Sequence, residues 1–415
     1  MMLNAVVGGT PGKDCGGFCK FCYFKSVDYK NLDSLKIGCQ YCPPDQVGCS
    51  HCREVINDIQ TGFRPLPKVL GDIENLLRWQ TLLGNLNYKD LKVVTASWAD
   101  IIFYPELNEL LTTLKDWGLH THLGYTSGKG IKDGNLAGEL ISLGVEEVNF
   151  SVVSMNPQIR SKWMGDKSPE ESFKALKIFC EGIDVNASTV VIPGVINEDD
   201  IFKTCSILED WGVKTFLMTR FANFKSEGLI YNDQAVLEGV TTQPYEQFQK
   251  LVEKVSREFS FRVLGAPFFD PEKNAPYILS QENNWKYLDR LPEVTREATI
   301  ITSQLSYKPL HKIFSKIAAD KVNVVKVDKE IGDLITHDDL ESVDLSMIKK
   351  KVIIPGGALV HDKQASDILN KDGDRRTVVR GPLWLFYYDF ELLDDKNVLE
   401  YELGCFKKLI DKINH

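Results

Sequence analysis

The chain has 415 residues, 43% apolar and 26% charged, the balance of a globular protein with room for two or three domains. Its net charge of −9 argues against a nucleic-acid-binding surface, which needs a basic face. No run of about twenty apolar residues is there to span a membrane, and the start Met1-Met2-Leu3-Asn4 lacks the basic and apolar regions of a signal peptide.

Leu3–Val7 is an apolar run ending at Gly8-Gly9, which reads as a buried strand entering a loop. Two cysteine groups follow on irregular chain. Without a secretion signal, such clustered thiols point to a reducing cytoplasm. From Pro67 a rhythm begins. Helical spacing in Pro67–Leu83, Pro105–Trp117, Asn135–Leu143, Ser168–Cys180, Asp199–Trp211 and Tyr245–Phe259 alternates with strand-like runs. These are Leu91–Ala96, Leu119–Tyr125, Val145–Val153, Val185–Ile192, Val213–Met218 and Phe261–Leu264. This alternation predicts an α/β fold of parallel strands with crossover helices, either barrel-like or doubly wound. A parallel barrel places its active site at the C-terminal ends of its strands, and the first cysteine group directly follows the first strand. Pro267, Pro271 and Pro276 then break the rhythm. The expected division is a barrel over 1–270, including a metal loop at 36–55, a linker over 271–295, and a second domain over 296–415. That domain is expected to be mostly β (α+β), from the runs Ala298–Ser303, Asn323–Val327, Lys351–Pro355, Thr377–Val379 and Trp384–Phe390, with a closing helix over Asp394–Ile413. Cys180, Cys205 and Cys405 stand alone and read as small buried hydrophobes.

The first cysteine group is Cys15-Gly-Gly-Phe-Cys19-Lys-Phe21-Cys22, spaced C-x3-C-x2-C. Three thiolates hold only three irons of a [4Fe–4S] cube, so the fourth iron stays open to a ligand that is not protein. A zinc loop with a distant fourth ligand is the competing reading. With an aromatic before the third cysteine, the motif resembles that of radical S-adenosylmethionine (SAM) enzymes. That resemblance implies a partial (β/α)6 barrel, SAM on the open iron, a 5′-deoxyadenosyl radical, and Phe21 stacked near the adenine. By the same resemblance, candidate SAM contacts lie at later strand ends. They are Ser97, Trp98 and Asp100 after the second, where the family's glycine-rich acidic motif is not reproduced, Asn149 and Ser151 on the fourth, and Ile192 and Gly194 after the fifth. Each polar residue among them can equally be a strand-end cap. Tyr23, next to Cys22, is a candidate guard of the open iron or a packed aromatic. Gly8-Gly9-Thr10-Pro11-Gly12-Lys13 is not a phosphate loop, because Asp14 replaces the Ser or Thr that would reach magnesium.

The second group, Cys39-Gln-Tyr-Cys42 and Cys49-Ser-His-Cys52, forms two C-x2-C knuckles with glycines beside them. Four thiolates close a tetrahedral site. Zinc and mononuclear iron fit equally, and a second iron–sulfur cluster has less usual spacing.

Val6 through Lys25, the Gly38–Cys52 double knuckle and Gly62-Phe63-Arg64-Pro65-Leu66-Pro67 together resemble the methanogenesis marker protein 10 family. The resemblance implies a cobalamin-dependent radical SAM methyltransferase. Its substrate would be an arginine in the α subunit of methyl-coenzyme M reductase, methylated at C5, and a low-potential electron donor would serve it. An sp3 carbon has no lone pair to accept a methyl cation, so a carbon radical, methylcobalamin and two uses of SAM form a consistent set. One departure stands out. There is no Asp-x-His-x-x-Gly and no Rossmann-type cobalamin domain ahead of the cluster motif, so cobalamin rests on the resemblance and falls to the C-terminal domain without a histidine ligand. The alternatives are a radical SAM peptide-modifying enzyme without cobalamin, or an iron–sulfur electron carrier, which usually closes its cluster with four cysteines.

Overall fold

The computed structural model describes residues 2–27, 37–39, 57, 59–82, 91–230, 234–385 and 395–415. They fall into two compact units. The first takes the described residues of 1–27, 54–221 and 236–266, and the second those of 28–53, 222–235 and 267–415.

The first unit is a seven-stranded sheet of β1 (Met2–Gly8), β2 (Lys92–Ser97), β3 (His120–Thr126), β4 (Val145–Ser151), β5 (Asp184–Val191), β6 (Thr215–Arg220) and β7 (Arg262–Ala266). The strands pair in chain order and every pair is parallel. β1 and β7 do not pair, so the barrel is partial. The crossovers carry helices α1 (Leu66–Leu82), α2 (Leu107–Asp116), α3 (Leu136–Ser142), α4 (Pro157–Met164), α5 (Pro169–Gly182), α6 (Glu198–Asp210) and α7 (Tyr245–Glu258).

Strict alternation makes β5 a strand. Val185, Ala187, Thr189 and Val191 are buried, while Asn186, Ser188 and Val190 on the other face are only half-buried. Gly124 fixes how closely β3 approaches β2, since a Cβ there would sit 1.8 Å from the Thr95 carbonyl oxygen. Its N–H donates to Thr95 Oγ1 at 3.0 Å, and the β3–β4 register shifts beside it.

The second unit is a four-stranded sheet of β8 (Ala298–Thr302), β9 (Val322–Lys326), β10 (Lys351–Ile354) and β11 (Thr377–Arg380) in the order β11-β10-β8-β9. All three pairings are parallel. Its helices are α8 (Gln304–Ile317), α9 (His337–Glu341), α10 (Asp362–Leu369) and α11 (Asp395–Asn414). Two apolar clusters form its core. One joins Ile313 and Phe314 of α8 to Phe406 and Leu409 of α11, and the other joins Ile301 and Val352 to Leu340 of α9 and Leu369 of α10.

The four strands stand where the sequence predicts them, as does the closing helix, but the connections are more helical than a mostly β domain. A parallel strand order requires crossovers, and α8 carries Pro309 within it, which reads locally as a breaker. Part of Trp384–Phe390 lies outside the described residues. Residues 277–291, read as linker, belong to this unit's core through Tyr277, Leu279 and Leu288. Glu402 of α11 fixes that segment by accepting from the N–H groups of Ile278 and Leu279 at 3.0 and 3.1 Å.

Candidate functional site

The chain leaves β1 through Gly8 and Gly9, both in the left-handed region (φ +76° and +105°). Gly9 N–H donates to the Gly62 carbonyl at 2.9 Å, and a Cβ on Gly9 would lie 2.9 Å from the Phe63 ring. The segment Gly62-Phe63 is thereby tied to the loop's entrance. Asp14 closes the next turn: its carboxylate accepts from Thr10 N–H at 2.8 Å and its own N–H donates to the Thr10 carbonyl at 2.8 Å.

The three thiols follow on this one loop. Gly12 N–H donates to Cys15 Sγ at 3.1 Å. Cys22 N–H donates to the Cys19 carbonyl at 3.1 Å, and Lys20 N–H to the Trp163 carbonyl at 2.8 Å. Cys19 is buried, and Cys15 and Cys22 are half-buried. Burial pushes the Cys19 thiol up, with the nearby Lys129 ammonium opposing it. Burial likewise pushes Cys22 up to about 11. A metal that takes Cys19 and Cys22 as thiolates therefore releases their protons near neutral pH.

The sequence gives no sign of the Lys129 contact. Lys129 Nζ donates to the Gly17 carbonyl at 2.6 Å and lies 3.6 Å from Cys19 Sγ. Its loop, which follows β3, is held from two sides. Asp100, fully buried, accepts from Ser127 N–H at 2.8 Å and Ser127 Oγ at 2.6 Å, and from Ile102 N–H at 3.1 Å. Arg160, also fully buried, donates from Nε to Asp166 at 2.6 Å and from Nη1 to the carbonyls of Ser151 and Val152 at 3.1 and 2.9 Å. Its Nη2 donates to the Ser127 carbonyl. One guanidinium therefore gathers the ends of β3 and β4. Tyr125 is a second residue the sequence reading omits. It is 43% exposed, yet desolvation of its hydroxyl pushes the phenol above the usual tyrosine range, with Cys19 and Asp100 adding to the shift and Ser151 opposing it.

The sequence-predicted contacts divide. Ser97 Oγ donates to the Gly8 carbonyl at 2.8 Å and accepts from Ala99 N–H at 3.0 Å, so it ties two strand ends together. Trp98 is 37% exposed, with its N–H on the Gly8 carbonyl at 3.1 Å. Asn149 lies within β4 and accepts from Asn186 at 3.2 Å; the same Asn186 amide donates to Glu147, which pairs with Lys92. Ser151 is buried and ends β4. Ile192 is buried, and its carbonyl accepts from Val195 and Ile196 N–H, both at 3.0 Å. Gly194 is exposed at φ +76°. Phe21 is half-buried. Tyr23 is 44% exposed, opens a 3-10 turn over Tyr23–Ser26, and packs on Phe24 with ring centroids 4.3 Å apart.

In the second unit Cys39 is half-buried. Gly38 before it donates to the Leu359 carbonyl at 3.3 Å, and a Cβ on Gly38 would come within 2.7 Å of the His361 backbone nitrogen. Cys42, Cys49 and Cys52 lie outside the described residues. Cys205 and Cys405 are buried and Cys180 half-buried, on α6, α11 and α5, and burial pushes all three thiols up.

The donor set on the first loop suits a [4Fe–4S] cluster. Three thiols share one loop with backbone N–H and ammonium donors facing sulfur, and the first unit's other described cysteines, Cys180 and Cys205, are each in a helix. For a large cofactor in the second unit, one observation bears on fit. Ser303, at the end of β8, is fully buried and its hydroxyl has no hydrogen-bond partner among the described residues. It lies near Gly332, and the chain leaving β10 passes through Gly356-Gly357. The strand order reverses between β8 and β10, where open α/β sheets leave a crevice.

No protein-family profile and no curated protein matches the chain. Among solved structures, SuiB of Streptococcus suis bound to S-adenosylmethionine matches at 12% identity and a TM-score of 0.39, covering 79% of this chain and 57% of that one. TYW1 with a lysine-pyruvate adduct matches at 17% identity and 0.34, covering 60% and 72%. The radical S-adenosylmethionine methyltransferase TsrM of Kitasatospora setae, with cobalamin and a [4Fe-4S] cluster bound, matches at 12% identity and 0.32, covering 52% and 34%. The chain thus spans about half the length of SuiB, and likeness at these scores carries no argument about activity. Among the described residues no helix is long and apolar enough to cross a membrane.

Proposed function

We propose that the chain is a cobalamin-dependent radical SAM methyltransferase that methylates C5 of an arginine in the α subunit of methyl-coenzyme M reductase. The observation that carries the radical SAM reading is the loop bearing Cys15, Cys19 and Cys22 at the C-terminal end of β1 in an open parallel barrel. The resemblance of Val6–Lys25, Gly38–Cys52 and Gly62–Pro67 to the methanogenesis marker protein 10 family is what points to the substrate. When bound, the cluster and SAM supply a 5′-deoxyadenosyl radical, and cobalamin supplies the methyl group.

The chain's own residues hold and orient. Cys15, Cys19 and Cys22 ligate three irons, and Lys129 and the Gly12 N–H face their sulfurs. Phe21, Trp98, Asn149, Ser151, Ile192 and Gly194 are the proposed SAM contacts. Ser97 and Asp100 act through the strand ends they tie. Tyr23 guards the open iron before SAM arrives. Cys39, Cys42, Cys49 and Cys52 hold one iron or zinc, and Gly38 seats that loop against the His361 segment. Cobalamin lies in the second unit at the crevice between β8 and β10, a placement the orphaned Ser303 hydroxyl favours. A low-potential donor supplies electrons.

With SAM deuterated in its methyl group and a reductase-derived peptide, the product gains a labelled methyl on carbon. 5′-Deoxyadenosine and S-adenosylhomocysteine form alongside it. Methylation on nitrogen, or full activity in cobalt-free protein, overturns the proposal.

A further inference from the structure

We infer that Lys129 is a positioning residue whose ammonium tunes the reduction potential of the cluster held by Cys15, Cys19 and Cys22. The inference rests on the proposed radical SAM reading and adds a residue that no spacing in the cysteine motif contains.

Lys129 Nζ donates to the Gly17 carbonyl at 2.6 Å, inside the C-x3-C segment, and approaches Cys19 Sγ at 3.6 Å. Arg160, a second cation on this loop through the Ser127 carbonyl, is already paired with Asp166 at 2.6 Å. Among the described residues Lys129 shows no carboxylate partner, so its charge is directed at the sulfur and the carbonyl.

The loop cannot readily retract. Asp100 holds Ser127 by two hydrogen bonds at 2.8 and 2.6 Å. Ser172 Oγ, whose proton is shared with the Asp166 carboxylate at 2.8 Å, lies 3.0 Å from the Gly128 carbonyl. Gly128 has φ +76° and so little room that a Cβ would meet Phe150 at 2.7 Å and Ser172 at 3.1 Å. Backbone this constrained, one residue before Lys129, fixes where its side chain starts.

Reduction adds one electron to the cluster and leaves the ammonium unchanged. A fixed positive charge and an N–H facing sulfur stabilise the more negative, reduced state, and the half-buried setting weakens the field less than bulk water would. Removing the charge makes reduction harder and leaves the three iron ligands in place.

The test is a potentiometric titration with titanium(III) citrate and viologen mediators, followed by electron paramagnetic resonance, on anaerobically reconstituted full-length protein without SAM. Relative to wild type, Lys129→Met shifts the reduction equilibrium about tenfold towards the oxidised form, about 59 mV for one electron. Lys129→Arg keeps the charge and stays near wild type. Lys129→Gln keeps an N–H without charge and falls with Lys129→Met. Loss of iron in both neutral variants while Lys129→Arg holds it overturns the inference, because the cation then serves cluster binding and not its potential. An unchanged potential in a fully loaded Lys129→Met overturns the inference, as does an equal shift or loss of iron in Lys129→Arg. Iron and sulfide content of wild-type protein is read first: a wild type that binds no cluster removes the functional reading itself, a result distinct from failure of the Lys129 assignment.

Discussion

Replacing Arg160 by Met isolates what holds the ends of β3 and β4 together. Both members of the Arg160–Asp166 pair have fully buried side chains. Removing one partner of such a pair leaves an uncompensated charge and costs about 3–5 kcal/mol. Here the orphan is the Asp166 carboxylate, which keeps Ser172 Oγ at 2.8 Å and Ser168 N–H at 3.0 Å. Those two bonds offset part of the loss, but the carbonyls of Ser127, Ser151 and Val152 lose their guanidinium donor, so the expected loss is ~4 kcal/mol. In a unit of this size each kcal/mol moves Tm by about 2–4 °C, so the first unit should melt about 10 °C lower. Anaerobic scanning calorimetry reads this directly. The double variant Arg160→Met/Asp166→Leu should recover part of the loss, because it removes the uncompensated charge while the carbonyls Arg160 served stay unpaired. A loss under about 1 kcal/mol in the single variant, or no recovery in the double, would refute the reasoning.

Three further outcomes follow from the same structure. Burial pushes Glu402 up to about 7 from an ordinary value of 4.5, so between these values the folded second unit holds a proton that the unfolded chain has released. Its stability therefore falls as pH rises through that window, by ~3 kcal/mol in all, and Glu402→Gln should flatten the fall in urea midpoints between pH 5 and 8; an unchanged slope rejects the assignment. Changing Cys15, Cys19 and Cys22 together to Ala should abolish 5′-deoxyadenosine formation while leaving the metal proposed for Cys39–Cys52 in place, and persistent SAM cleavage would count against the cluster. Cys39→Ser should reduce solubility together with the metal content beyond the cluster, and wild-type protein holding no such extra metal would count against the knuckles.

The sheet of the first unit was legible because its chemistry is periodic. Apolar runs bounded by Gly and Pro, alternating with amphipathic segments, admit few arrangements other than parallel crossovers. The cysteine loop was legible from spacing alone. Lys129, Asp100 and Arg160 were harder to read for one shared physical reason. Each acts across chain distances that only the sheet order closes: 110 residues from Lys129 to Cys19, 27 from Asp100 to Ser127, and 33 from Arg160 to Ser127. Asp100, a candidate cofactor contact by sequence, is fully buried and holds Ser127. Arg160, on the short helix α4, belongs to no motif in the sequence, and its local partner is the carboxylate of Asp166 six residues on.

The second unit shows the opposite limit. Its strands are short and apolar enough to be found, but their order is not a local property. The chain runs from β8 to β9 on one side, returns past β8 to β10, and continues to β11. Open α/β sheets leave a crevice at such a reversal, and the residues beside it carry little that a propensity can register. Gly357 packs so closely on Asp333 that a Cβ would come within 2.6 Å of its carboxylate, and burial pushes that carboxyl up to about 6. Ser303 is one hydroxyl among many in the sequence, and it becomes informative only once its burial and missing partner are seen. Leaving a polar hydroxyl buried without a partner costs about 1–3 kcal/mol, so a fold that retains one at a strand-order reversal gains stability when a ligand supplies that hydrogen bond.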